Sequence, residues 1–263
     1  AGLESIIADA RTIKSLKEIV ASEKAKQYLF GKWGFNEGPA KYSHGTSVLF
    51  FGAPGVGKTY AAEAIGFEMG QPLMKIEISQ IISKWVGETS KNLEAIFQEA
   101  QNGNAILLFD EADALFTKRT QVTNSTDRYA NSDVNYLLTA IENYKGMVIL
   151  TTNLKDNMDD ALFRRIRYTV KFEVPSFTER MKLWENLIPE KSNLSVDVNF
   201  ETLAKYNLSG GHIKNAVFRA ATKAVLRAGE EKVIIQQDLI EAAEEELSSI
   251  NPASNKIGFK CAA

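Results

Sequence analysis

The stretch "GAPGVGKT", residues 52–59, constrains this chain more than any other eight residues. It fits G-x-x-x-x-G-K-[ST] and stands between an apolar run, "SVLFF", and a helical pattern, "TYAAEAIGFEM". A glycine-rich turn in that setting leaves a strand and enters a helix within a few residues, so it belongs to an α/β unit. Gly55 and Gly57 permit backbone angles closed to other residues. The loop Gly52, Ala53, Pro54, Gly55, Val56 and Gly57 can therefore turn its N–H groups inward around phosphate oxygens. Lys58 adds a point charge for the β- and γ-phosphates, Thr59 offers a hydroxyl to Mg²⁺, and the helix N-terminus adds its dipole.

The rest of the chain agrees with an α/β reading up to Pro175. Five short apolar runs, "SVLFFG", "LMKIEI", "AILLFDE", "MVILTTN" and "YTVKFEV", alternate with helical patterns between residues 47 and 174. Continuous rather than alternating apolar strands indicate an open parallel sheet buried on both faces. Before them, residues 1–30 read as helix, with Leu16, Ile19 and Val20 at helical spacing, and residues 31–45 read as a glycine-rich linker. After Pro175 the pattern turns helical. Ser176 with Glu179 three residues later forms a capping box, and three further amphipathic stretches follow, "KVII" being the one weak strand signal. The expected organisation is a helical segment and linker (1–45), an ATPase-type α/β domain (46–175), a small all-α lid (176–250) and a tail (251–263).

A second acidic signal completes the first. "ILLFDEADALF" ends a buried strand with Asp110 and Glu111, and the carboxyl edge of a parallel sheet is where its ligands bind. Asp110 there suits the Mg²⁺ shell, together with Thr59, and Glu111 can polarise a water for in-line attack on a γ-phosphate.

Composition excludes little and suggests less. The net charge of −2 gives no electrostatic reason to expect nucleic acid or an anionic membrane. No apolar run approaches the ~18 residues of a membrane span, and no secretory signal is visible. The single Cys261 sits in the tail and has no internal partner, so a reducing, cytoplasmic setting is expected.

Taken together, these motifs resemble those of the AAA+ ATPases, in the branch that remodels proteins, over nearly the whole chain. The resemblance implies ATP and Mg²⁺ as ligands and a homo-hexameric ring. Residue by residue, it places the first sensor at Asn153, ending "VILTTN". It places two arginine fingers at Arg164 and Arg167 in "DDALFRRIRYTVKFEVP", where Arg165 and Ile166 depart from the family's usual Pro-Gly or Phe-Gly. In "LSGGHIKNAVFRAA" it brings Gly210 and Gly211 close to the adenine and ribose. The family's second-sensor Arg is absent there; Lys214 is a weak substitute, and His212 reads as a surface or packed residue. "TDRYANSDVNYLL" and the lid sequence look most like bacterial and phage-associated members, including those that accompany contractile injection systems.

"KWVGE", Lys84, Trp85, Val86, Gly87 and Glu88, falls where the resemblance puts the aromatic–aliphatic–Gly pore loop. The helix after it, expected from Thr89 or Ser90, has its own apolar stripe in Leu93, Ile96, Phe97 and Ala100, so Trp85 is not needed for the core. A ring of Trp and Val faces can grip an extended polypeptide whatever its sequence. The reading is thus ATP turnover coupled to unfolding or remodelling a protein through a pore. The alternative is a nucleic-acid motor or loader of the same class, which the absence of a Lys/Arg run disfavours.

Overall fold

The computed structural model describes residues 1–35, 37, 44–77, 89–113, 136–153, 165–227 and 232–250. The chain divides into two units, residues 1–53 with 57–173, and residues 54–56 with 174–263.

In the first unit, five parallel strands form one sheet: β1 (Thr46–Gly52), β2 (Leu73–Glu77), β3 (Ile106–Asp110), β4 (Met147–Thr152) and β5 (Tyr168–Phe172). Their order is β2-β3-β4-β1-β5. The helices are α1 (Ala10–Gly31), α2 (Lys58–Met69), α3 (Thr89–Asn102) and α4, helical over the described residues 136–143. The central strands are apolar without interruption because both faces are covered. Leu107, Phe109, Val148 and Leu150 face one core with Leu93, Phe97, Leu137 and Ile141, while Ile106, Leu108, Met147 and Ile149 are equally buried from the other side. The expected stripe on α3 is present: Leu93, Phe97 and Ala100 are buried, and Ile96 packs half-buried against the same cluster.

The register decides where function can sit. Gly52 is level with Phe172, Phe51 with Thr152, and Asp110 with Glu77. The strand ends of β1, β3 and β4 therefore share the carboxyl edge. From β1 the chain crosses over to β2, and from β4 it crosses back past β1 to β5, so this edge holds the switch point where open α/β sheets bind ligands.

The first helix differs from the expectation of residues 1–30. It begins at Ala10 because Asp9 accepts hydrogen bonds from the N–H groups of Arg11 (2.9 Å) and Thr12 (3.0 Å) as its N-cap, and only Leu3–Ser5 forms a 3₁₀ turn before it. Thr12 also ties α1 to the sheet, its hydroxyl donating to the Lys171 carbonyl at 2.8 Å.

In the second unit, α5 (Phe177–Leu187), α6 (Phe200–Leu203), α7 (Gly210–Leu226) and α8 (Gln236–Ile250) bury Trp184, Leu203, Leu208, Ile213, Ala216 and Leu239. The capping box at Ser176 and Glu179 is formed in both directions. "KVII" contributes one bridge, Leu194 to Ile234, and no strand among the described residues. Within this unit the Gly211 N–H donates to the Gly55 carbonyl at 2.8 Å, and a Cβ on Gly211 would stand 3.1 Å from the Gly55 Cα. Ser209 caps α7, and its hydroxyl is 2.7 Å from Nδ1 of the half-buried His212, a packing role; Lys214 is exposed.

Candidate active site

The turn from β1 into α2 is built on glycine. Gly57, the N-cap of α2, has φ +100°, a conformation that L side chains rarely adopt, and its carbonyl accepts the Ala61 N–H at 2.9 Å. At Gly52 the constraint is contact: a Cβ there would lie 2.2 Å from the Phe172 carbonyl oxygen. A larger residue would push β1 and β5 apart.

Lys58 leaves this turn buried to within 8% of its surface. Its ammonium donates to the carbonyls of Gly52 and Ala53 and to Oδ1 of Asn153, each at 2.8 Å. Burial holds the amine below its ordinary range, and the charges of Asp113 and Asp110 oppose that shift. One side chain thus links the P-loop to the end of β4.

Asp110 is the second centre. The Thr59 hydroxyl reaches both its oxygens, at 3.3 and 3.2 Å, the Thr151 hydroxyl donates to Oδ1 at 2.5 Å, and Lys75 Nζ lies 2.7 Å from Oδ2. Burial pushes this carboxyl up, but the hydrogen bond and charge of Lys75, with the Thr151 and Thr59 hydroxyls, outweigh it and leave it below the usual carboxylate range. The facing hydroxyl and carboxylate are hard oxygen donors, a set that fits Mg²⁺ better than a softer metal.

Glu111, next in sequence, adopts φ +52°, rare for a residue with a Cβ. Two bonds from Thr151 hold it there. The Thr151 hydroxyl accepts the Glu111 N–H at 3.1 Å, and its carbonyl accepts the Ala112 N–H at 2.8 Å. The twisted backbone turns the Glu111 side chain out to solvent while Ala112 goes into the core. Asp113 then reaches back to β4, where it accepts the Thr152 hydroxyl and, at 3.0 Å, the Asn153 N–H.

Four of the site's polar residues were not singled out in the sequence: Lys75, Asp113, Thr151 and Thr152. A signal existed for three of them. "VILTTN" carries two hydroxyls where a buried strand should stay apolar, and "DEAD" carries a third acid. Lys75 on an edge strand gave none, because lysine is what an exposed edge ordinarily carries.

Of the expected residues, Arg167 lies away from this edge, while Gly211 meets the P-loop at the Gly55 carbonyl. Arg167 precedes β5, its N–H donating to the carbonyl (3.0 Å) and hydroxyl (3.1 Å) of Ser47. Its neighbour Arg165 is paired with Glu142 at 2.6 Å, and Ile166 packs on the core beneath the sheet. Arg164 and the pore-loop residues Lys84, Trp85, Val86 and Gly87 lie outside the described residues. Among the described residues there is no cluster of three His, Cys, Asp or Glu side chains that could hold a metal, and no helix is long and apolar enough to cross a membrane.

A P-loop strand–turn–helix, a carboxylate pair at the end of the next strand but one and a polar strand end between them define a nucleotide-binding α/β protein. Comparison narrows the class. Residues 48–176 match the AAA family, described as the ATPase family associated with various cellular activities. The chain is 31% identical over 242 residues to an ATP-dependent zinc metalloprotease FtsH of Lachnoclostridium phytofermentans, covering 87% of this chain and 41% of that protein. It is 30% identical to a proteasome-activating nucleotidase of Saccharolobus islandicus, covering 93% of this chain and 61% of that protein, and 30% identical to that of Aeropyrum pernix, covering 88% and 56%. Among solved structures, the AAA domain of FIGL-1 superposes with a TM-score of 0.71 at 21% identity, over 98% of this chain and 90% of that one. The chain belongs to the AAA family and has its fold. It spans about half the length of the curated relatives it matches.

Proposed function

We propose that this chain is a magnesium-dependent ATP hydrolase that works in the cytoplasm as a homo-hexameric ring and uses turnover to unfold or remodel a protein drawn through the ring's pore. The observation that carries the hydrolase reading is the meeting of Lys58, Asn153, Thr59, Asp110 and Glu111 on one sheet edge.

Each residue has a part that its surroundings support. The P-loop N–H groups and Lys58 would bind the β- and γ-phosphates; the three acceptors now on the ammonium keep it aimed at the loop. Thr59 and Asp110 would hold Mg²⁺, which when bound neutralises charge on those phosphates. Glu111, exposed and without a bond from its carboxylate among the described contacts, would take a proton from water as the water oxygen bonds to the γ-phosphorus and the bridging P–O bond to ADP breaks. Asn153, with its amide oxygen on Lys58, has two N–H groups to orient that water.

Arg167 supports the ring. It stands beside Ser47, five residues before Gly52 on β1 and so roughly 16 Å from the phosphate edge at the usual strand rise. An arginine at that distance cannot serve its own nucleotide, but it can serve a neighbour's; Arg164, three residues earlier, is given the same role on its motif alone. The protein substrate rests on the relatives' names and on the "KWVGE" motif. Lys84, Trp85, Val86 and Gly87 would grip it.

Two variants test the reading. Lys58→Ala should lose ATP binding, because it removes charge from the phosphates in ground and transition states alike. Glu111→Gln should bind ATP without hydrolysing it and hold a six-fold particle visible by electron microscopy. Unchanged ATP affinity in Lys58→Ala would sink the assignment, and a monomer in ATP-saturated Glu111→Gln would sink the ring.

A further inference from the structure

The contact between Lys75 and Asp110 is not required by the fold. Lys75 lies on the edge strand β2, level with Leu108, and Glu77 is level with Asp110. Residues of equal parity on paired strands share a face, so Lys75 and Asp110 are diagonal neighbours across the ladder. A lysine with 49% of its side chain exposed has water available for its ammonium, yet the ammonium turns inward to a carboxylate exposed by only 13%. The carboxylate it meets is the one that would ligate the metal. Lys75 Nζ takes Oδ2 at 2.7 Å, leaving Oδ1 to the Thr151 hydroxyl.

We propose that Lys75 is a resident counter-cation of Asp110, displaced when metal-bound nucleotide loads the site, so that β2 registers whether the site is filled. The proposal rests on the nucleotide reading above. A divalent ion at Asp110 and an ammonium at the same carboxylate repel each other, and each lowers the other's affinity by the same factor. Without metal, Lys75 is the cation in contact with a mostly buried carboxylate, with Glu77 and Glu111 the other two charges that act on its amine. With metal, the ammonium leaves along its four-carbon stem into solvent that already covers half of it. β2 ends two residues later at Glu77, and the chain passes on toward Lys84 and Trp85. Release of Lys75 therefore acts on the strand that leads to the substrate-gripping residues.

Two measurements test this without using turnover. In the Glu111→Gln background, binding of a fluorescent ATP analogue is titrated with Mg²⁺. Lys75→Met should lower the Mg²⁺ midpoint roughly five-fold, the scale of a partly exposed ion pair. Lys75→Arg, which keeps the charge, should restore it. In the unsubstituted chain, acylation of the Lys75 amine read by mass spectrometry should rise when MgATP is added and should not rise with ATP and EDTA. A higher Mg²⁺ midpoint in Lys75→Met would make Lys75 a fixed orienting group and overturn displacement. Lys75 labelling that ignores MgATP, while the analogue binds, would overturn it too. If the unsubstituted chain shows no Mg²⁺-dependent ATP binding, the nucleotide reading itself falls.

Discussion

Replacing Thr151 with Val separates what this site needs from what it merely contains. Valine keeps the β-branch and nearly the volume of a side chain that is 1% exposed, so the strand and its packing stay as they are. Only the hydroxyl goes, and it has two duties: it donates to Asp110 at 2.5 Å and accepts the Glu111 N–H at 3.1 Å. A hydrogen bond to a charged group contributes roughly 1.5–3 kcal/mol, and an N–H left facing a methyl costs about 1 kcal/mol where water can partly reach it. Asp110 keeps Lys75 and Thr59, which limits the first loss. The expected total is about 2–4 kcal/mol, or a fall of roughly 5–15 °C in the melting of the sheet unit for a chain of this size. The catalytic effect should be larger than the stability effect. The φ of +52° at Glu111 is unfavourable by roughly 1–2 kcal/mol for an L residue, and one of the two bonds that hold it would be gone. A carboxylate that relaxes by an ångström loses about 10² in rate. The assay is ATP turnover beside a thermal melt, with Thr151→Ser, which retains the hydroxyl, as the rescue. Native melting and native kcat in Thr151→Val would refute the idea that this hydroxyl positions the carboxylate pair.

Other expectations follow from the same geometry. Arg164→Ala and Arg167→Ala should each bind ATP normally and lose roughly 10³–10⁵ in turnover; mixed rings with Lys58→Ala subunits should regain part of it, and mixed rings that form but stay inactive would exclude action on a neighbour's nucleotide. Trp85→Ala should keep its melting temperature and ATP turnover while losing substrate processing, and a large drop in melting temperature would return Trp85 to the core. Trp184→Ala provides the contrast. With no exposed surface, it should cost roughly 3–5 kcal/mol in the helical unit, seen as an early melting transition.

The sheet could be read from sequence because its burial is two-sided. Where Ile106 and Leu107 are both inaccessible, no polar residue can interrupt the run, and the strand declares itself. β5 departs from the continuous apolar pattern expected of it, since it is an edge strand: the exposed Thr169 and Lys171 alternate with the buried Val170 and Phe172. The P-loop and the Asp-Glu pair were legible for a related reason. Turning a backbone around phosphate demands glycine at fixed spacing, and a metal shell demands carboxylate at a strand end, so the chemistry writes itself into residue types.

What stayed hidden is whatever depends on one element meeting another. The start of α1 is a partial exception: Asp9 is a favoured N-cap type, but the reading of residues 1–30 rested on the helical spacing of Leu16, Ile19 and Val20, which does not say where a helix begins. The twist at Glu111 had no such signal. Glutamate carries no preference for positive φ, and the conformation exists only because β4 offers Thr151, 40 residues away, to hold it. Likewise, Lys75 reads as an ordinary edge lysine until β2 is placed beside β3, when a solubilising charge becomes the partner of Asp110, the carboxylate proposed to hold Mg²⁺. The residues that perform the chemistry are selected by type and show in the sequence. Those that hold them are selected by position across the sheet: Thr151 and Thr152 left only a break in an apolar run, whose purpose the sequence did not show, and Lys75 left no local mark.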